Sequence, residues 1–228
     1  MKALLDVFFQ PGKTFTELPE RRGAWIAPLL ANTILLLLST AITVNVLGMD
    51  LIMRQRLASS NMSPEQMQIA MERAASPVTT YITYAAVALG APLAMLIISG
   101  VLFAFGMMTA RSPKFDSMLA MVSLAFFPYF LVSVVMTALV MLAAPDKTAL
   151  DLNNLLATNV GAFVNRLETA KGLYALYTSL DILSFLEILL LSFGFSKLTK
   201  AGFGAGLGAV GGMWILYVMS KMALSLFQ

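Results

Sequence analysis

Two acidic residues, Asp181 and Glu187, interrupt an otherwise uncharged apolar stretch that runs from Gly172 to Ser196. An ionisable group deep in such a stretch is costly unless it is paired, hydrated or neutralised, so it marks a candidate site. The stretch reads as one helix, in which Ser184 lies three residues from both acids and Tyr177 four residues before Asp181. Tyr177, Asp181, Ser184 and Glu187 then form a polar arc that must face other helices or water. Three chemistries are open to it. The acids can stay protonated and pin neighbouring helices by hydrogen bonds, they can contact a lipid headgroup or partner protein, or they can form a proton or cation site. On one helix the two carboxylates stand about 120° apart, which disfavours the facing pair that aspartyl catalysis requires. Lys221 is the basic residue able to approach Asp181.

The rest of the composition narrows the field. The 228 residues include no histidine and no cysteine, and 59% are hydrophobic but only 12% charged. An ordinary soluble domain has about 25% charged residues, so the chain reads as a membrane protein. Without histidine or cysteine there is no Ser-His-Asp or Cys-His nucleophile, no thiolate or imidazole metal site and no disulfide. We therefore expect no enzyme activity, no cofactor and no metal, and assign the net charge of +3 no nucleic-acid meaning.

A helix crossing the hydrocarbon layer needs about 20 mostly apolar residues. Charge-poor stretches of that length predict spans at about 25–48, 78–108, 117–144, 172–196 and 201–221, preceded by an arm at 1–22. The roughly 37 residues between Arg73 and Arg111 fit one long tilted helix kinked near Gly90-Ala91-Pro92, with two half-helices as the alternative. Pro128 predicts a second kink. The expected fold is all-α, a five-transmembrane-helix bundle with short interfacial helices. Lys2, Lys13, Arg21, Arg22, Arg111, Lys114, Lys197 and Lys200 crowd the short segments on one side, whereas the basic residues of the other side are spread over two long loops. That density predicts a cytoplasmic N-terminus and an outer C-terminus. Pro11-Gly12 and the length of the first span argue against a cleaved signal peptide, so that span is expected to be an anchor.

Outside the spans, Leu4, Leu5, Phe8 and Phe9 on one side of the arm and Lys2 and Asp6 on the other predict a short interfacial helix ended by Pro11-Gly12. Thr14 to Glu17 has capping-box spacing and predicts a second short helix, stopped by Pro19. Phe8, Phe9 and Phe15 are candidates for seating the chain on the membrane or docking a partner. Ser63-Pro64-Glu65-Gln66 predicts a helix to about Ala75, with Met62, Met67, Ala70, Met71 and Ala74 as a stripe covering neighbouring spans. Asn61-Met62-Ser63 is formally a glycosylation acceptor, a weak signal before Pro64. The loop from Asp146 to Lys171 predicts a further helical stretch near Asp151 with Leu152, Leu155 and Leu156. Asn32, Thr33, Ser39, Thr40, Thr43 and Asn45 in the first span predict helix contacts or bonds to their own carbonyls. Gly204, Gly208 and Gly212 repeat every four residues, a face for close packing on a helix of the same chain or a second copy.

The stretch from Ser179 to Phe195, with the glycine-rich span and Trp214 behind it, resembles the end of the Yip1 family of five-span membrane proteins. Phe9-Gln10-Pro11-Gly12-Lys13-Thr14-Phe15-Thr16-Glu17-Leu18 is similar to the opening of its bacterial members. In the span-four pattern an Asp, an aromatic and a Gly match Asp181, Phe185 and Gly194, while Leu186 or Glu187 stands where many members have an aromatic. The resemblance implies a five-span bundle with a cytosolic N-terminus. Eukaryotic members are tied to vesicle traffic and prenylated small GTPases through a long N-terminal region; the short arm here implies a bacterial member in the inner membrane. The expected function is a non-enzymatic membrane scaffold binding lipids, other integral membrane proteins or a second copy and influencing membrane organisation. The alternative is a small transporter or channel with a proton or cation site at Asp181 and Glu187.

Overall fold

The computed structural model describes residues 2–57, 63–109, 112–152, 154–166 and 168–226. The described residues are helical, with no β-structure beyond a single antiparallel bridge between Asn159 and Asp181. Among the described residues five helices are long and apolar enough to cross a membrane: α3 (Ile26–Leu57), α5 (Pro77–Met107), α6 (Phe115–Ala143), α8 (Ile182–Thr199) and α9 (Phe203–Ser225). The shorter ones are α1 (Lys2–Phe9), α2 (Pro11–Glu17), α4 (Pro64–Ala74) and α7 (Lys171–Tyr177). Arg111, Asn61 and Met62, on which parts of the charge, glycosylation and methionine-stripe readings rest, lie outside the described residues.

The bundle is organised around α6. Every residue from Ser117 to Ala125 is buried, which a helix achieves only when neighbours enclose it on all sides. Those neighbours are α3, α5, α8 and the arm helix α1. The α8–α9 pair packs beside this group, and α7 lies against α9. Span two is one helix with Pro92 inside it rather than two halves. Pro128 likewise sits inside α6, and there Asn32 of α3, fully buried, donates to the Ser123 carbonyl at 2.7 Å. Thr33, Thr40, Thr43 and Asn45 instead bond the carbonyls four residues before them at 2.8–2.9 Å, as expected for hydroxyl and amide groups in a span.

The arm differs from its expectation. Helix α1 ends at Phe9, ahead of Pro11 as expected, but Pro11 also begins α2 at its first position, because its missing N–H is one the first turn leaves unbonded anyway. Gln10 is therefore the cap, and the Thr14 hydroxyl bonds back to the Gln10 carbonyl at 3.0 Å, so no capping box forms at Thr14–Glu17. Phe15 is 0% exposed and cannot meet a partner. It sits with Val7 and Leu18 in the main core, because Gly194 of α8 leaves room where a side chain would strike both Phe15 and Met121. Phe8 rests edge-on against Phe127 with rings 6.1 Å apart, and Phe9 is 83% exposed. Of the three aromatic candidates only Phe8 and Phe9 remain at the surface.

On the opposite side of the bundle α4 starts with the expected capping box: Ser63 accepts from the Gln66 amide and Gln66 from that of Ser63. Among the described residues no α-helix forms near Asp151; they carry two single-turn 3-10 helices, at Lys147–Ala149 and Val160–Phe163. Gln55, at the end of α3, clamps it by donating to the Leu150 carbonyl at 2.7 Å and accepting from the Leu152 amide at 3.1 Å.

Candidate functional site

The fourth apolar stretch is broken where the sequence suggested one helix. Chain 171–177 forms α7, residues 178–181 turn, and α8 begins at Ile182. Thr178 and Ser179 direct their hydroxyls back to the Ala175 carbonyl at 3.1 and 2.8 Å, closing the end of α7. Asp181 then caps α8: its Oδ1 accepts from the Leu183 and Ser184 amides at 2.7 and 3.2 Å. Serine, threonine and aspartate offer the backbone such local partners in place of the next helical bond, and aspartate is among the strongest N-caps. Asp181 therefore sits at a helix end and not in mid-span, and the single-helix arc of Tyr177, Asp181, Ser184 and Glu187 does not form.

The break lets the preceding loop enter the bundle. Across the bridge between Asn159 and Asp181, the Val160 amide donates to the Leu180 carbonyl and the Ile182 amide to that of Thr158, both at 3.2 Å. The Thr158 hydroxyl donates to Asp181 Oδ2 at 2.6 Å. Thus one carboxylate fastens loop, turn and helix together. Gly161 is needed beside it, since a side chain there would meet Thr178 and Asn159 Oδ1 at 2.6 and 2.9 Å.

Between this junction, α6 and α9 lies a cleft of about 350 Å³. Its rim is polar, formed by Asn154, Asn159, Thr178, Ser179, Asp181 and Lys221, with Leu152, Leu155 and Leu156 as an apolar lip. Lys221 Nζ donates to Thr178 Oγ1 at 2.8 Å and Ser179 Oγ at 3.1 Å, so it approaches the Asp181 turn as expected but bonds its hydroxyls. The floor is formed by Tyr129 of α6 and Trp214 of α9, and Tyr217, 60% exposed, lines the cleft between Trp214 and Lys221 along α9. Seven residues of α9 separate Lys221 from Trp214, so the cleft reaches about 10 Å along the helix from charged rim to aromatic floor. Trp214 is held from behind by Phe185, ring to ring at 5.7 Å.

Among the expected site residues, Asp181 and Ser184 line this cleft, whereas Tyr177 and Glu187 do not. Sequence reasoning missed Thr158, Asn159, Thr178 and Ser179; the readable signal was the Thr-Ser-Leu-Asp run, which joins hydroxyls to a capping residue just before an apolar stretch.

The glycine face also departs from expectation. Gly204, Gly208 and Gly212 have no neighbouring atom within 4 Å of an added Cβ, so they do not pack on a helix of this chain. The close approach is made by Gly206, whose Cβ position abuts the Ser192 backbone of α8.

Comparison with curated proteins and with solved structures finds no match. The bundle, the arm packed into it and the glycine-rich last span nevertheless fall within one family description: the Yip1 domain matches residues 5–227, and the chain belongs to the Yip1 family of membrane proteins.

Proposed function

We propose that this protein is a non-enzymatic membrane scaffold that binds lipids and through them, or through other integral membrane proteins, influences membrane organisation. The observation that carries the reading is the cleft: charged and amide groups at its rim lead to tyrosine and tryptophan on its floor. That is the polarity profile of a lipid at the edge of a bilayer, where amphipathic aromatic rings concentrate. Leu5, Phe8 and Phe9, exposed on α1, add a second apolar surface at the opposite end. We assign the arm to the cytoplasmic face of a bacterial inner membrane, since basic residues are densest in the short segments on its side. The transport reading has less support, because Asp181 is engaged by three hydrogen bonds and Glu187 lies outside the cleft.

Native mass spectrometry of the protein extracted with its lipid tests the proposal. Phospholipid should remain bound near one per chain and be lost in Ser184→Phe, where a large side chain would fill the cleft. Retention that is random in number and indifferent to this substitution would refute it.

A further inference from the structure

We infer that the lipid held in the cleft is a phospholipid whose headgroup joins a phosphate to a primary ammonium, of the phosphatidylethanolamine class; this rests on the lipid-binding reading above. The argument is a count of hydrogen-bonding capacity left over at the rim. The Lys221 ammonium has three N–H groups, of which two go to Thr178 and Ser179, leaving one cationic donor. The Asp181 carboxylate has about four acceptor positions, and three are taken by Leu183, Ser184 and Thr158. Asn159, 8% exposed, donates to Asn154 Oδ1 at 2.6 Å, while its own Oδ1 is buried without a partner. A buried amide oxygen in that state carries a desolvation penalty until a donor reaches it.

Residues opposite each other in an antiparallel bridge send their side chains to the same side. Asp181 and Asn159 are such a pair and both line the cleft, so the carboxylate with its unfilled position and the amide with its unpartnered oxygen stand on the same side of the bridge. The rim therefore presents one cation with a spare donor and a pair of acceptors, one of them anionic. A phosphate complements Lys221 and a primary ammonium complements Asp181 and Asn159. A purely anionic headgroup leaves the Asp181 charge unmatched, and a quaternary ammonium brings no N–H to either acceptor. The apolar lip and aromatic floor accommodate the glycerol and first methylenes, which favours the whole lipid over a soluble phosphoamine.

The test uses the full chain, delipidated in detergent and offered an equimolar mixture of phosphatidylethanolamine, phosphatidylcholine and phosphatidylglycerol with identical acyl chains. By native mass spectrometry, phosphatidylethanolamine adducts should exceed each competitor roughly tenfold, the discrimination expected of a charge-assisted hydrogen bond. Asp181→Asn, which keeps an N-cap acceptor but loses the charge, should abolish the preference over phosphatidylcholine. Lys221→Gln should weaken retention of all three phospholipids, and circular dichroism checks that each variant is folded. Equal retention of the three headgroups by the unaltered protein overturns this inference and leaves the lipid-binding reading intact. Absence of stoichiometric lipid, or lipid indifferent to Ser184→Phe, overturns both. Glycerophosphoethanolamine binding as tightly as the lipid would overturn the lipid source in favour of a soluble ligand.

Discussion

Gly206 of α9 lies against the backbone of Ser192 in α8, so closely that a methyl group at this position would drive into the Ser192 carbonyl oxygen. The obstacle is backbone inside a helix and cannot swing aside. Gly206→Ala should therefore separate the two helices locally and cost about 1–3 kcal/mol, the range for overpacking. Gly204→Ala, Gly208→Ala and Gly212→Ala meet open space and should gain up to about 1 kcal/mol each from helix propensity. Unfolding midpoints of the four variants in a denaturing-detergent titration separate the two outcomes. Loss of stability in all four would mean that the every-fourth-residue face is packed after all, against a second copy.

Phe15 and Phe9 belong to the same arm but answer to different surroundings. Phe15→Ala empties a fully enclosed site beside Gly194 and Met121 and should destabilise the bundle by about 3–5 kcal/mol. Phe9→Ala removes a ring that touches little of the protein and should change folding by less than about 0.5 kcal/mol. The same detergent titration reads both.

Asp181→Ala removes the cap of α8 and the acceptor for Thr158 together. The cap alone is worth about 0.5–2 kcal/mol. The loop at Thr158–Val160 should then detach from the turn, exposing the chain to limited proteolysis between α6 and α7. Asp181→Asn retains an acceptor for the Leu183 and Ser184 amides and should stay largely resistant. Equal cleavage of the two variants would show that the charge, and not the cap, holds the junction.

The absence of cysteine makes orientation directly measurable. Lys13→Cys places a thiol in α2 and Ser63→Cys one at the start of α4, at opposite ends of the bundle. With the arm in the cytoplasm, a membrane-impermeant maleimide added to intact cells should label Ser63→Cys and spare Lys13→Cys until the cells are lysed. The reverse pattern would invert the orientation.

The membrane helices were legible because a span is announced by twenty or so residues of uniform character, and the α4 capping box because its partners are three residues apart. The break at residues 178–181 was not, since hydropathy averages over a window and four residues with one leucine barely lower it. Nor was the arm's depth: amphipathic spacing put Leu4, Leu5, Phe8 and Phe9 on one side, but it does not say whether lipid or α6 covers that side, and it passed over Val7, which is buried. Gly206 escaped for a related reason. A small-residue repeat marks where close approach is allowed, while the helix that comes close is set by the direction in which α8 leaves its cap at Asp181. The cleft depended on the break, and of its polar rim only Asp181 and Lys221 were singled out in advance.

Gly48 offers a test of how the first span ends. It interrupts α3 with φ 78° and ψ 150°, a backbone region open almost only to glycine. An added Cβ there would meet no neighbour within 4 Å, so any cost of substitution comes from the backbone itself and not from crowding. The sequence limit of the apolar run, Met49, lies at the same point, so the kink separates the part of α3 that crosses the membrane from the turns carrying Asp50, Arg54 and Gln55. Asp50 and Arg54 pair at 2.8 Å across one turn of that outer segment, and Gln55 holds the loop that forms the lip of the cleft. Gly48→Ala should cost about 1–3 kcal/mol, or else straighten α3 and swing Gln55 away from Leu150. Straightening would be seen as increased distance between spin labels introduced at the exposed residues 56 and 147, which leave the Gln55 side chain in place. If stability and that distance were both unchanged, the outer segment would not depend on the glycine, and the clamp on the loop would be set by Gln55 alone.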